Sequence, residues 1–203
     1  MAKAFSMAAT AMVAVMLAGC SQKANDQVAD VGNGAANATE ATGNALSNAA
    51  DTVKDAVTPT PTGQEFVDKA AKSDAFEIAS AKLAEKNAAS PEIRSFASMM
   101  IEDHTASTSK IKAAAAKASP AIDPDPTLTD DQNGKLSDLK ALKGADFDKT
   151  YAEQQVDAHQ SALSLMKLYS DKGEVASLKA VAREILPKVE THLEKIKSIK
   201  DKM

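Results

Sequence analysis

The stretch that decides the fold reads SPEIRSFASMMIEDHT and occupies residues 90–105. Ser90 followed by Pro91 is typical of a helix start, because a serine side chain caps free amide groups and proline fits the first helical turn. After this start, apolar positions recur three and four residues apart until shortly before Pro120. We therefore predict a long amphipathic helix that ends at about residue 118.

The same spacing predicts three further long helices and one short helix. The long ones span residues 64–87, 145–171 and 174 to the C-terminus, and Pro187 should kink or interrupt the last of them. Residues 119–129 contain three prolines and predict a loop. Thr129 and Gln132 then form a capping pair that starts the short helix, and Gly144 should close it.

The arrangement of these segments predicts the fold class. No segment shows the alternating pattern of a strand, so the class is all-α. Two hairpins of long helices joined by a long connection between the second and third predict a four-helix bundle. This order of lengths resembles the ferritin-like bundle, whose long crossover also joins its second and third helices.

The N-terminus predicts export and lipid attachment. Lys3 precedes an apolar run over residues 8–18, which is too short to span a bilayer and is typical of a signal peptide. The run ends in Leu-Ala-Gly-Cys at residues 17–20, which resembles the bacterial lipobox. We predict a signal peptide over residues 1–19, lipidation of Cys20 and, because Ser21 follows it, an outer-membrane lipoprotein of the cell envelope.

Composition separates a tether from the bundle and excludes some partners. Residues 20–63 begin with the lipidated cysteine and are rich in Ala, Asn, Asp and Thr, which predicts a disordered tether, whereas residues 64–203 form the bundle domain. The net charge of −4 and the 3% of aromatic residues argue against nucleic-acid binding. The predicted partner is therefore the membrane, through the lipid anchor; a protein partner is not identified.

The chain has only three histidines, and each falls on the apolar face of a different long helix. His104, His159 and His192 follow apolar neighbours at spacings of three and four residues. Glu77, on the first helix, should lie level with His104. Helix rise places His159 and His192 roughly 10 Å apart along the bundle axis, which argues against a shared site without excluding it.

Two interpretations of the histidines remain open. They can form a mononuclear metal site with Glu77 as fourth ligand, suited to Zn²⁺ or another divalent first-row metal, with Met100 as a further soft candidate. Alternatively, they are core residues hydrogen-bonded to Glu77, Gln155 or Tyr151. The residues three positions before the histidines are Ile101, Val156 and Val189, so the Glu-x-x-His pairs of a di-iron bundle are absent.

The residues also resemble a known family. The runs 76–84, 90–105, 147–151, 155–159 and 186–193 are similar to the family numbered 4142 among the domains of unknown function, and the likeness covers about residues 64–196. The resemblance implies a ferritin-like helical bundle in exported bacterial proteins, often described as outer-membrane proteins. It places the three histidines on the family's histidine positions and implies no established activity.

Two functions follow as hypotheses. The first is a membrane-anchored periplasmic lipoprotein that binds a divalent metal through its core histidines. The second is a non-catalytic structural or stress-response protein of the envelope, whose histidines only specify core packing. An enzyme is the weakest interpretation, because no catalytic motif is found.

Overall fold

The computed structural model describes residues 59–203. The predicted signal peptide, Cys20 and nearly all of the predicted tether lie outside these residues. Four long helices and one short helix follow one another along the chain. They are α1 (Gly63–Asn87), α2 (Pro91–Ala115), α3 (Asp130–Ala141), α4 (Gly144–Lys172) and α5 (Ala176–Lys200).

Side-chain caps start the first three helices. Thr62 and Glu65 form a capping box at α1, in which the Thr62 amide donates to the Glu65 carboxylate at 2.8 Å. The Ser90 hydroxyl accepts from the Ile93 amide at 3.3 Å and starts α2. Thr129 and Gln132 form the predicted capping box of α3. Each cap satisfies amide groups that the first helical turn leaves without a partner.

The four long helices form a bundle in which α1 packs along α2 and α4, and α5 packs along α4 and α2. The Gly63 amide donates to Glu174 at one end of the bundle, next to the α4–α5 turn. At the other end, the Ala89 and Ser90 amides donate to Asp148, near the start of α4. The chain therefore runs up α1, down α2, down α4 and up α5. This is the predicted four-helix order of a ferritin-like bundle.

The long connection between α2 and α4 runs the length of the bundle. It leaves the end of α2, where the Ile122 amide donates to the Ala115 carbonyl, and it returns through α3 to the opposite end. Lys72 on α1 holds it through the Asp125 carboxylate and the Thr127 carbonyl. α3 packs against α1 and α4 and covers their outer side.

The core is divided into two apolar clusters. One includes Phe66, Ile111, Tyr169 and Leu178 and lies near the α4–α5 turn. The other includes Phe96, Phe147, Tyr151 and Ile196 and lies at the opposite end. Along α2, α4 and α5 the three histidines lie between the residues that supply these clusters. A polar layer therefore crosses the middle of an apolar core.

The all-α prediction is confirmed: the described residues contain no β-strand, and the main differences are at helix ends. α2 ends at Ala115 and α3 at Ala141. Gly144 does not close α3; it begins α4 with a φ of +66°, a conformation that glycine adopts without steric cost. Pro187 lies inside α5, which continues as one helix over Ala176–Lys200. Among residues 59–203, every helix falls short of the length and apolar character needed to span a membrane.

Candidate metal centre

His104 on α2, His159 on α4 and His192 on α5 meet in the polar layer. Their side chains are buried, with relative exposures of 6%, 2% and 1%. The ring centroids lie 5.4–5.8 Å apart, and one ring nitrogen of each histidine lies within 4.8 Å of one from each of the other two. The three histidines therefore converge on one point, as the metal interpretation requires.

One nitrogen of each ring is held by a hydrogen bond that fixes the orientation of the imidazole. His104 Nδ1 is 2.8 Å from Asp74 Oδ1, and His192 Nε2 is 2.8 Å from Asp103 Oδ2. His159 Nδ1 donates to the main-chain carbonyl of Gln155 at 2.8 Å. Partners of this kind behind a histidine set its tautomer and raise its basicity as a metal ligand.

The other nitrogen of each ring is buried without a hydrogen-bond partner among the described residues. These atoms are His104 Nε2, His159 Nε2 and His192 Nδ1. In a neutral imidazole the nitrogen that donates a hydrogen bond carries the proton, so the opposite nitrogen presents a lone pair. Three buried lone pairs in one layer are unfavourable for packing alone. Their arrangement is one that can hold a metal ion.

The expected 10 Å offset between His159 and His192 is wrong as a measure of their separation, because the rings are 5.4 Å apart. The α4–α5 turn occupies residues 173–175, and α5 begins only at Ala176. His192 is therefore fewer residues from the turn than the position of Gly173 in the sequence suggested. The remaining offset is about three residues, or roughly 5 Å of helix rise, which side chains span.

The pKa shifts of the three imidazoles differ in direction. Burial lowers the pKa of His159 to about 3 and that of His192 to about 4, although the hydrogen bond that His192 donates to Asp103 opposes the shift at His192. At His104 burial also penalises the charged form, but the hydrogen bond to Asp74 and the charge of Glu77 outweigh it and raise the pKa. His159 and His192 are therefore neutral, ready to act as ligands, throughout the physiological range.

Glu77 lies beside the triad but outside the group of mutually close nitrogens. Its side chain is buried, with 1% exposure, and neither carboxylate oxygen has a hydrogen-bond partner among the described residues. Burial raises its pKa to about 7, and the nearby His104 opposes that shift. Direct ligation of a metal by Glu77 stays a prediction.

Of the other candidates, Met100 and Tyr151 belong to the apolar cluster around Phe96 and Phe147. Met100 is fully buried among apolar residues. The side-chain amide of Gln155 donates to Ser80 at 3.3 Å, so it is the main chain of Gln155 that holds His159. The hydroxyl of Tyr151 is buried without a partner among residues 59–203, and burial raises its pKa well above the usual value.

An aromatic ring covers one side of the triad, and a small cavity adjoins the other. The Phe96 ring packs over it, with centroids 6.2 Å from His159 and 6.5 Å from His192. On the other side, a cavity of about 30 Å³ adjoins His104 and His192. Ser107, Met166 and the exposed Lys188 also line this cavity. Room of this size holds one or two water molecules.

Sequence reasoning missed Asp74 and Asp103, the two carboxylates that orient the triad. The acidic residues two positions before each histidine, Glu102, Asp157 and Glu190, are instead exposed or half-buried. The signal for Asp74 was its place on the apolar face of the first helix, between Ala70 and Glu77. A carboxylate in that position needs a buried partner.

The fold and the site define a helical-bundle protein with a three-histidine candidate metal centre in its core. The chain belongs to the family described as "Domain of unknown function (DUF4142)", whose model matches residues 48–199. The predicted family membership is thereby confirmed. No curated protein sequence matches the chain.

Solved structures give a likeness of fold. "CopM in the Cu(II)-bound form" superposes with a TM-score of 0.61 at 18% identity, covering 71% of this chain and 99% of CopM. "CopM in the Cu(I)-bound form" gives 0.58 at 17% identity, with 70% and 97% covered. At this identity the comparison shows a shared fold.

Proposed function

We propose that this protein binds one transition-metal ion through His104, His159 and His192. The observation that carries the proposal is the set of three buried ring nitrogens without partners, in a layer where each opposite nitrogen is held by a carboxylate or a carbonyl. A metal ion would bond to all three lone pairs. Metal–nitrogen distances of about 2.0–2.1 Å place the nitrogens around a tetrahedral ion about 3.4 Å apart, so nitrogens that lie within 4.8 Å of one another would move together by up to about 1.4 Å.

Copper is the ion we favour, and zinc is the second candidate. Imidazole suits both metals, and the general order of stabilities places Cu²⁺ above Zn²⁺ at a given nitrogen site. CopM, whose fold is similar, has been solved in two copper-bound forms. Met100 is packed in the apolar cluster around Phe96 and Phe147, and its sulphur is not needed for the proposal.

The proposed setting is the periplasmic side of the outer membrane. Support comes from the apolar run at residues 8–18 and from Leu-Ala-Gly-Cys at residues 17–20, which would attach lipid to Cys20. A tether followed by a bundle would hold the metal centre in the periplasm. The protein would then act as a lipid-anchored metal-binding module of the cell envelope.

Titration of the chelator-treated protein with Cu²⁺ and, separately, Zn²⁺ tests the proposal. We expect one tightly bound ion for each chain, and its loss in His104→Ala and in His159→Ala. The chain has no histidine outside the triad, so imidazole coordination seen by spectroscopy reports on this site alone. Asp157→Asn is the matched control, because Asp157 is exposed two residues before His159.

Two results would contradict the proposal. One is the absence of tight binding in the native chain, which would favour a structural role in which the histidines specify packing. The other is tight binding that survives His104→Ala unchanged, which would place the ion elsewhere.

A further inference from the structure

Glu77 is the acidic residue of the polar layer that is not hydrogen-bonded to a histidine. Asp74 and Asp103 are each committed to a histidine by a 2.8 Å hydrogen bond. Glu77 is as deeply buried as the histidines, yet both of its oxygens lack a partner among the described residues. A buried carboxylate without hydrogen bonds costs stability, so a function at this position would explain its presence.

Glu77 lies close to the helices that carry the histidine triad. It lies on α1, which packs against both α2 and α4, the helices that carry His104 and His159. Its charge acts on His104, and Asp74, Gln155 and Tyr151 are further buried polar side chains near it. Of these neighbours only His104 can carry a positive charge. A metal ion held by the triad would bring a further positive charge close to Glu77.

We propose that Glu77 is a specificity-determining residue, whose buried negative charge makes the triad favour divalent ions over Cu⁺. This inference rests on the proposed metal site. Three neutral imidazoles contribute no charge, so a bound ion brings its full charge into a buried layer. A carboxylate nearby interacts twice as strongly with a divalent ion as with a monovalent one. The interaction acts through space and does not require a bond from Glu77 to the ion.

The expected size of the effect follows from Coulomb's law. Any two unit charges about 8 Å apart, in a medium with an effective dielectric constant of about 20, interact strongly enough to change a binding constant roughly thirtyfold, and this sets the scale for each unit of charge on the ion. Neutralising the carboxylate should therefore weaken Cu²⁺ and Zn²⁺ binding by a factor at least about tenfold larger than it weakens Cu⁺ binding. A tenfold change in that ratio corresponds to a rise of about 59 mV in the reduction potential of bound copper.

The test compares Glu77→Gln with Glu85→Gln and the native protein. Glu85 lies on the same helix, and the substitution removes the same charge from an exposed position. Dissociation constants for Cu²⁺ and Zn²⁺ are measured by competition with chelators, and those for Cu⁺ are measured without oxygen. The reduction potential of bound copper is measured on the same samples, and helical content by circular dichroism confirms folding.

The proposal predicts that only Glu77→Gln shifts the preference towards Cu⁺ and raises the potential. Equal weakening of all three ions, or no change in any, would overturn the role of Glu77 while leaving the triad as the metal site. A shift of the same size in Glu85→Gln would also overturn it, because the net charge of the domain would then be the cause. Failure of the native protein to bind metal would instead refute the site itself.

Discussion

Acidification should destabilise the metal-free protein through His159 and His192. Their pKa values are lowered to about 3 and about 4 by burial, against the usual 6.5. Between pH 6.5 and 4 the unfolded chain therefore binds protons that the folded chain does not. Unfolding becomes more favourable across this window, by about 2 kcal/mol for each histidine between pH 7 and pH 5.

Protonation of Glu77 should offset about half of this loss in the free energy of unfolding. Its pKa is raised to about 7 in the folded chain against a usual 4.5, so the folded chain binds the proton first as the pH falls. From pH 7 to pH 5 this contributes about 2 kcal/mol in favour of the folded state. His104, whose pKa is also raised, acts in the same direction. The native protein should therefore lose less stability in mild acid than its two neutral histidines alone would cause.

Urea unfolding in the presence of a chelator measures this balance. The free energy of unfolding is determined at pH 7, 6 and 5 for the native protein and for Glu77→Gln. At pH 7 the variant should be more stable by about 3 kcal/mol, because it removes the cost of a buried carboxylate. From pH 7 to pH 5 the variant should lose about 2 kcal/mol more than the native protein. If the free energy of unfolding changed equally with pH in the two proteins, the role of Glu77 would be refuted. If it did not change with pH in the variant, the claim that His159 and His192 are buried and neutral would be refuted.

Three further predictions test the parts of the account separately. Asp103→Asn should weaken metal binding about 10–100-fold in a chelator competition, because the carboxylate orients His192; unchanged affinity would contradict that role. Phe96→Ala should lower the free energy of unfolding by about 3–5 kcal/mol, measured with urea, because the ring is fully buried over the triad; a loss below about 1 kcal/mol would show that the ring packs loosely. Cys20→Ala should release the protein from the membrane fraction and abolish incorporation of labelled fatty acid; retention in that fraction would contradict lipid anchoring.

The helices were predictable because their signals are local. Ser90 with Pro91, and Thr129 with Gln132, cap helices where the sequence indicated, and the apolar spacing gave the correct order of long helices. The end of α2 was predicted three residues late, at about residue 118 instead of Ala115. Alanine-rich sequence continues past that point, so the local pattern does not show where packing against the bundle ends.

The site was predictable only in part, because its orientation depends on contacts between distant segments. Three histidines on three apolar faces indicated a common layer. Asp103 precedes His104 in the chain but bonds His192, 89 residues away, and sequence spacing does not show such a pairing. Asp74 bonds His104 across 30 residues in the same way. The axial offset was overestimated because the α4–α5 turn lies later in the chain than its glycine suggested.

Anomalous X-ray diffraction from copper-loaded crystals, recorded at the copper absorption edge, tests the central claim most directly. The account predicts one strong peak in the bundle core, about 2 Å from His104 Nε2, His159 Nε2 and His192 Nδ1. An empty core with peaks only at surface carboxylates or at the chain termini would contradict it.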